Sequence, residues 1–121
     1  MLIIDDEYGL RFALSDFFRG IGYDVDSAAE REEAEALLAN EVYAVVIADL
    51  RLSGTFGIEG LDLVEATRHA CPTARVVLLT ANGSPEIEIE ARRRGAAICL
   101  QKPVSLPVLA ETIGGILKAT A

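Results

Sequence analysis

The sequence predicts an α/β fold: a five-stranded parallel sheet covered by helices on both faces. Three observations predict it. Hydrophobic periodicity switches between strand and helix patterns five times along 121 residues. Two stretches, "YAVVIAD" (43–49) and "ARVVLLT" (74–80), are almost continuously apolar, as parallel strands buried on both faces are. Each strand-like run is followed by a helical one, the order that crossover-connected parallel strands require.

Taken in order, residues 2–5 are a short buried strand. Residues 8–21 read as a helix whose inner face carries Leu10, Ala13, Leu14, Phe17, Phe18 and Ile21. Arg11, Ser15, Asp16 and Arg19 fall on its outer face, and Gly20 and Gly22 end it. Residues 23–28 alternate in polarity as a strand. Residues 30–40 form a helix with acids outside and Ala34, Leu37 and Leu38 inside. After strand 43–49 comes the glycine-containing loop "LRLSGTFGIEG" and a helix over 61–71, with Pro72 just beyond it. Strand 74–80 leads to a loop and a short helix, with Ser84 as N-cap and Pro85 at its first position. Ile87 and Ala91 can face inward there; Ile89 cannot. Strand 96–100 precedes a last helix, 105–118, that buries Leu106, Leu109, Ile113, Ile116 and Leu117. Gly114 and Gly115 weaken it by roughly 1 kcal/mol each relative to Ala.

The length suits one domain, 1–121, and the 51% apolar content suffices for a core. A formal charge of -8, from 19 acids against 11 bases, argues against direct binding of nucleic acid or an anionic membrane. Two cysteines, Cys71 and Cys99, without a CxxC, fit a reduced cytoplasmic protein in which both act as small hydrophobes. No apolar run approaches a membrane span, and no signal peptide is expected.

In a sheet of this kind the site lies at the carboxyl ends of the strands, by the switch point of the winding. Strand 1 ends in Asp5 and Asp6, strand 3 in Asp49 and strand 4 in Thr80, while strand 5 runs into Lys102. Three carboxylates, a hydroxyl and an ammonium therefore converge on one rim. Clustered carboxylates suit a divalent cation, and Mg²⁺ prefers hard oxygen ligands with several waters. Without it, like charges raise at least one carboxyl pKa. A metal, a free carboxylate, a hydroxyl and a Lys are what phosphoryl transfer to a carboxylate needs. Each residue alone has an ordinary explanation: a helix N-cap for Asp5 or Asp6, a turn residue for Thr80, a solvated charge for Lys102. The weight lies in the set.

These residues resemble the receiver domain of two-component response regulators over essentially the whole chain. "IIDDE" resembles the family's acidic pair, "VVIADLRL" its phosphoacceptor strand, "VVLLTA" the strand with the switch hydroxyl, and "LQKP" its Lys-Pro step. The resemblance implies a flavodoxin-like sheet of strand order 2-1-3-4-5. It implies Mg²⁺ held by Asp5, Asp6, Asp49 and the backbone carbonyl of Arg51. It implies that Asp49 takes a phosphoryl group from a histidine kinase or phosphotransfer protein, that Lys102 pairs with that group, and that Thr80 hydrogen-bonds it. A cis 102–103 peptide is also implied, where a bare X–Pro prior is only ~5%. On this reading the chain is a switch rather than an enzyme with an external substrate. Phosphorylation would alter the 81–112 surface for a downstream output domain or protein, with Ile89 and Cys99 as candidate exposed anchors. Dimerisation through the 85–118 face is compatible with it.

The pattern departs from the family at three places. Ser53 stands where the family has Pro, in a loop over 53–60 that looks about three residues longer than usual. Cys99 replaces the aromatic switch residue, and Arg51 and Asn82 occupy positions that tune water access. Two other classes fit some of the residues. An aspartyl-nucleophile hydrolase of the haloacid-dehalogenase type shares the residue types, but it uses a DxD after strand 1 and a cap insertion, for which there is no room. A silent pseudo-receiver is argued against by the intact Asp5, Asp6, Asp49, Thr80 and Lys102. His69 reads as a solvated helix-end residue, and "RRR" (92–94) as helix-terminal cations. "GTFG" lacks the ending of a phosphate loop.

Overall fold

Short apolar runs and amphipathic segments alternate through the chain, and each becomes the element its period dictates. The computed structural model describes residues 1–49, 58–81 and 85–119. In order these form β1 (Leu2–Ile4), α1 (Tyr8–Gly20), β2 (Asp26–Ala28), α2 (Arg31–Asn40) and β3 (Val45–Asp49). They continue with α3 (Ile58–Ala70), β4 (Arg75–Thr80), α4 (Pro85–Arg93), β5 (Ala96–Gln101) and α5 (Leu106–Ala119). The strands pair in parallel in the order β2-β1-β3-β4-β5, as the resemblance implies. The chain thus reverses its winding between β1 and β3.

Alternation along the strands divides the core in two. Leu2, Ile4, Val46, Ala48, Val76 and Leu78 face α2, α3 and α4, where Ala34, Leu38, Val64 and Ala91 close over them. Ile3, Val45, Ile47, Val77 and Leu79 face α1 and α5, against Leu14, Phe18, Leu109 and Ile113. Both sides of β3 and β4 are sealed, which is why Val45–Ala48 and Val76–Leu79 are wholly apolar between Arg75 at the entry to β4 and the polar residues at the carboxyl ends. Burying one such Leu or Ile contributes about 1.5–3 kcal/mol.

Several elements differ from their expected bounds. β2 pairs only over Asp26–Ala28, because β1 offers three residues, Leu2 to Ile4, as partners. α3 starts at Ile58 rather than 61. On α1 the expected inner residues Ala13 and Ile21 are exposed, while Ser15, expected outside, is buried. Burial on this helix follows α5 and the sheet edge that cover it, not the helical period alone. The Ser84 cap lies outside the described residues, but Pro85 does open α4, with Ile87 against the core, Ala91 buried and Ile89 exposed.

The basic run 92–94 is used in ion pairs. Arg94 reaches Asp62 at 2.9 Å and Glu65 at 3.2 Å on α3, and Glu90 at 2.9 Å on its own helix. The Arg93 and Arg94 guanidiniums hold the Glu90 carboxyl down at about 2. His69 is an exposed residue of the last turn of α3, as expected. Among the described residues no helix is long and apolar enough to cross a membrane.

Candidate functional site

The site forms where β1, β3, β4 and β5 end together. β3 is in register with β1 on one side and β4 on the other, so Asp49 lies one residue past the last β1–β3 pair, Ile4–Ala48, and opposite Leu79. Thr80 and Gln101 pair as the last rung of β4 and β5. Lys102 follows at once, and its N–H donates to the Thr80 carbonyl at 2.7 Å. That bond turns the chain so that the Lys102 ammonium meets Asp49 Oδ2 in a direct ion pair between residues 53 apart. The following peptide, Lys102–Pro103, is cis.

Burial gives this pair its weight. Asp49 is 1% exposed, and the Lys102 side chain 18%. A carboxylate so removed from water requires a nearby cation, and Lys102 supplies one. Thr80 is 5% exposed at the same edge.

Asp5 is the second buried acid, also 1% exposed. Three of its polar groups are engaged. Its N–H donates to the Ala28 carbonyl at 3.0 Å, its carbonyl accepts from Arg11 Nη1 at 2.8 Å, and its Oδ1 accepts from the Glu7 N–H at 2.9 Å. The fourth, Oδ2, is buried without a hydrogen-bond partner among the described residues. Burial pushes the Asp5 carboxyl above its ordinary value. The Glu7 N–H opposes this, the Asp49 charge adds to it, Lys102 opposes it and Asp6 adds a little more.

Asp6 is exposed, so the three carboxylates do not enclose one point. Among the described residues no three His, Cys, Asp or Glu side chains form a group that could hold an ion. The two acids that share the interior of the rim are Asp5 and Asp49. Two suffice for Mg²⁺, which usually takes one or two carboxylates and keeps several waters. A buried carboxylate oxygen with no donor, beside a second buried carboxylate, fits such an ion. Arg51, Ser53 and Asn82 lie outside the described residues, as does most of the 53–60 loop.

Two residues behave differently from expectation. Arg11, assigned by periodicity to the outer face of α1, turns back to the Asp5 carbonyl, and its guanidinium also lies 5.5 Å from the centre of the Tyr8 ring. No sequence pattern signals a side chain bonding a backbone carbonyl six residues earlier. Cys99 is half-buried and packs on the core beneath α4, so it is not an exposed anchor. Burial raises its thiol above the ordinary value, with Glu88 adding and Arg92 opposing.

Fold and site together define a flavodoxin-like α/β domain with its ionic centre at the topological switch point. The Response regulator receiver domain model matches residues 1–114, and the chain belongs to that family. It is a two-component signalling domain. It is 36% identical over 117 residues to Response regulator protein PilR of Pseudomonas aeruginosa, covering 97% of this chain and 26% of that protein. The chain therefore spans about a quarter of the length of that relative. A receiver domain protein (CheY-like) from Methanospirillum hungatei superposes with a TM-score of 0.88 at 26% identity, over 98% of this chain and 92% of that one. A response regulator from Burkholderia pseudomallei, solved with a phosphorylated aspartic acid, a calcium ion and citrate, superposes with a TM-score of 0.82. It is 28% identical, over 90% of this chain and 62% of that one. Membership of this family places the chain outside the haloacid-dehalogenase class.

Proposed function

We propose that Asp49 is the phosphoacceptor of a phosphorylation-activated switch, supplied by a histidine kinase or phosphotransfer protein in a Mg²⁺-dependent reaction. The observation that carries this is the buried Asp49–Lys102 ion pair beside the unpartnered Asp5 oxygen. The phosphorylated aspartate of the Burkholderia relative supports it.

An Asp49 carboxylate oxygen attacks the phosphorus of a donor phosphohistidine, and the P–N bond breaks. Its electron pair stays on the imidazole nitrogen, so the charge that develops during transfer sits on the phosphoryl oxygens. Lys102 moves from the carboxylate to those oxygens, where a unit pair at ~4 Å is worth roughly 4 kcal/mol at an effective dielectric near 20. The Thr80 hydroxyl donates to another. Mg²⁺, when bound, neutralises the same oxygens as a Lewis acid. Asp5, Asp6 and Asp49 would hold it, directly or through water, and the Arg51 carbonyl would complete the protein's share.

The product carries up to about two negative charges beside Thr80 and Lys102. Those contacts bias the 81–112 surface between two states, of which a downstream output domain or protein binds one better. Ile89, exposed on α4, belongs to that surface; a second copy of the chain is a further occupant of the 85–118 face. No turnover of an external substrate is expected, and a cytoplasmic location follows from the partners. Intact mass after incubation with Mg²⁺ and a small acyl phosphate should rise by one phosphoryl group. Label persisting at that site in Asp49→Asn would overturn the assignment.

A further inference from the structure

Asp5 is pinned on three sides and open on the fourth, and Arg11 supplies one of the pins. Its Nη1 donates to the Asp5 carbonyl at 2.8 Å. The Ala28 carbonyl holds the Asp5 N–H at 3.0 Å, and the Glu7 N–H holds Oδ1 at 2.9 Å. Only Oδ2 is left, buried and unpartnered among the described residues. The carboxylate is thus divided: one oxygen braces the β1–α1 turn and the other is presented to the rim.

We propose that Arg11 is a positioning residue that sets the β1–α1 turn so that Asp5 Oδ2 faces the cation of the phosphoacceptor site. This inference rests on the function proposed above. The Arg11 hydrogen bond fixes the orientation of the 5–6 peptide, and with it the height of the Glu7 N–H that claims Oδ1. Releasing the carbonyl lets that peptide rotate, and Asp5 then loses the geometry that reserves Oδ2 for the ion. Groups that orient a ligating carboxylate usually matter by about 10–100-fold in metal affinity.

The charge of Arg11 argues the other way, and this makes the test sharp. A guanidinium beside an acidic site repels a divalent cation, so by Coulomb interaction alone its removal should tighten Mg²⁺ binding. A positioning role predicts the opposite sign. The variant is Arg11→Met, which keeps an apolar stem over Tyr8 and has no donor. Mg²⁺ affinity, measured by calorimetry on the whole chain, should weaken about 10-fold. Hydrogen exchange at the Glu7 amide, measured without metal, should speed up. Arg11→Lys, which keeps a long stem and a donor, should restore most of both. If Arg11→Met is too unstable to titrate, Arg11→Gln, whose amide ends well short of the guanidinium nitrogens, takes its place. Unchanged or tighter Mg²⁺ binding in Arg11→Met, or in Arg11→Gln where that replaces it, overturns the inference alone. Wild-type Mg²⁺ binding that is absent, or indifferent to Asp5→Asn, overturns the phosphoacceptor reading and this inference with it.

Discussion

Replacing Lys102 by Met removes the cation from a carboxylate that cannot reach water. Asp49 is 1% exposed, and Asp5, also 1% exposed, stands near enough to add to its own electrostatic load. Removing one partner of a buried ion pair costs about 3–5 kcal/mol. The Lys102 side chain is 18% exposed, so water reaches its end of the pair and the lower figure applies, about 3 kcal/mol. For a domain of this length 1 kcal/mol shifts the melting point by about 3–4 °C, so Lys102→Met should melt about 10 °C below wild type in chelator at neutral pH. The reverse change is milder. Asp49→Asn leaves an ammonium that can swing into solvent, and it should cost about 1 kcal/mol. The double variant should cost less than the sum of the two by about 2 kcal/mol. Saturating Mg²⁺ should recover part of the Lys102→Met loss, because a cation again faces Asp49. Thermal and urea denaturation of the four proteins check this. A Lys102→Met melting point within about 2 °C of wild type, or an Asp49→Asn cost equal to it, would refute the claim that burial makes the pair matter.

Two further outcomes follow from particular contacts. The Asp5 carboxyl is raised above its ordinary 3.8, so the folded protein holds that proton where the unfolded chain has lost it. Metal-free stability should therefore climb as pH falls from neutral through the raised Asp5 value, until near 4.5 the unfolded chain begins to take up protons on carboxylates that the folded protein holds low, such as Glu90. Asp5→Asn should flatten that slope and raise metal-free stability at neutral pH; urea melts over a pH series check it, and equal slopes would contradict it. Gly95 has a φ of +115°, and a Cβ there would lie 2.8 Å from Arg68 Cγ. Arg68 cannot yield cheaply, since its Nη1 donates to the carbonyls of Pro72 at 2.7 Å and Ala74 at 3.1 Å. Gly95→Ala should cost about 2 kcal/mol or more, read as a lowered denaturation midpoint.

Which parts of this molecule could be read from one dimension depends on the range of the interaction. Periodicity is local, so the five strand–helix units and the apolar strands β3 and β4 were legible, and so were the polar residues at the strand ends. The parallel strand order by itself places Asp5, Asp49, Thr80 and Lys102 at one edge. Burial within an element was less legible. Ser15 is inside and Ala13 outside because α5 and the sheet cover α1 from one direction, and Cys99 is half-buried because α4 lies over it. The tertiary structure alone decided that Asp5 is interior while its neighbour Asp6 is exposed. It alone brought Lys102 onto Asp49 and turned Arg11 back to the Asp5 carbonyl. Residue types and their spacing determined which chemistry this chain carries. Register and packing, which join side chains far apart in sequence, determined which atom of each residue is available for it.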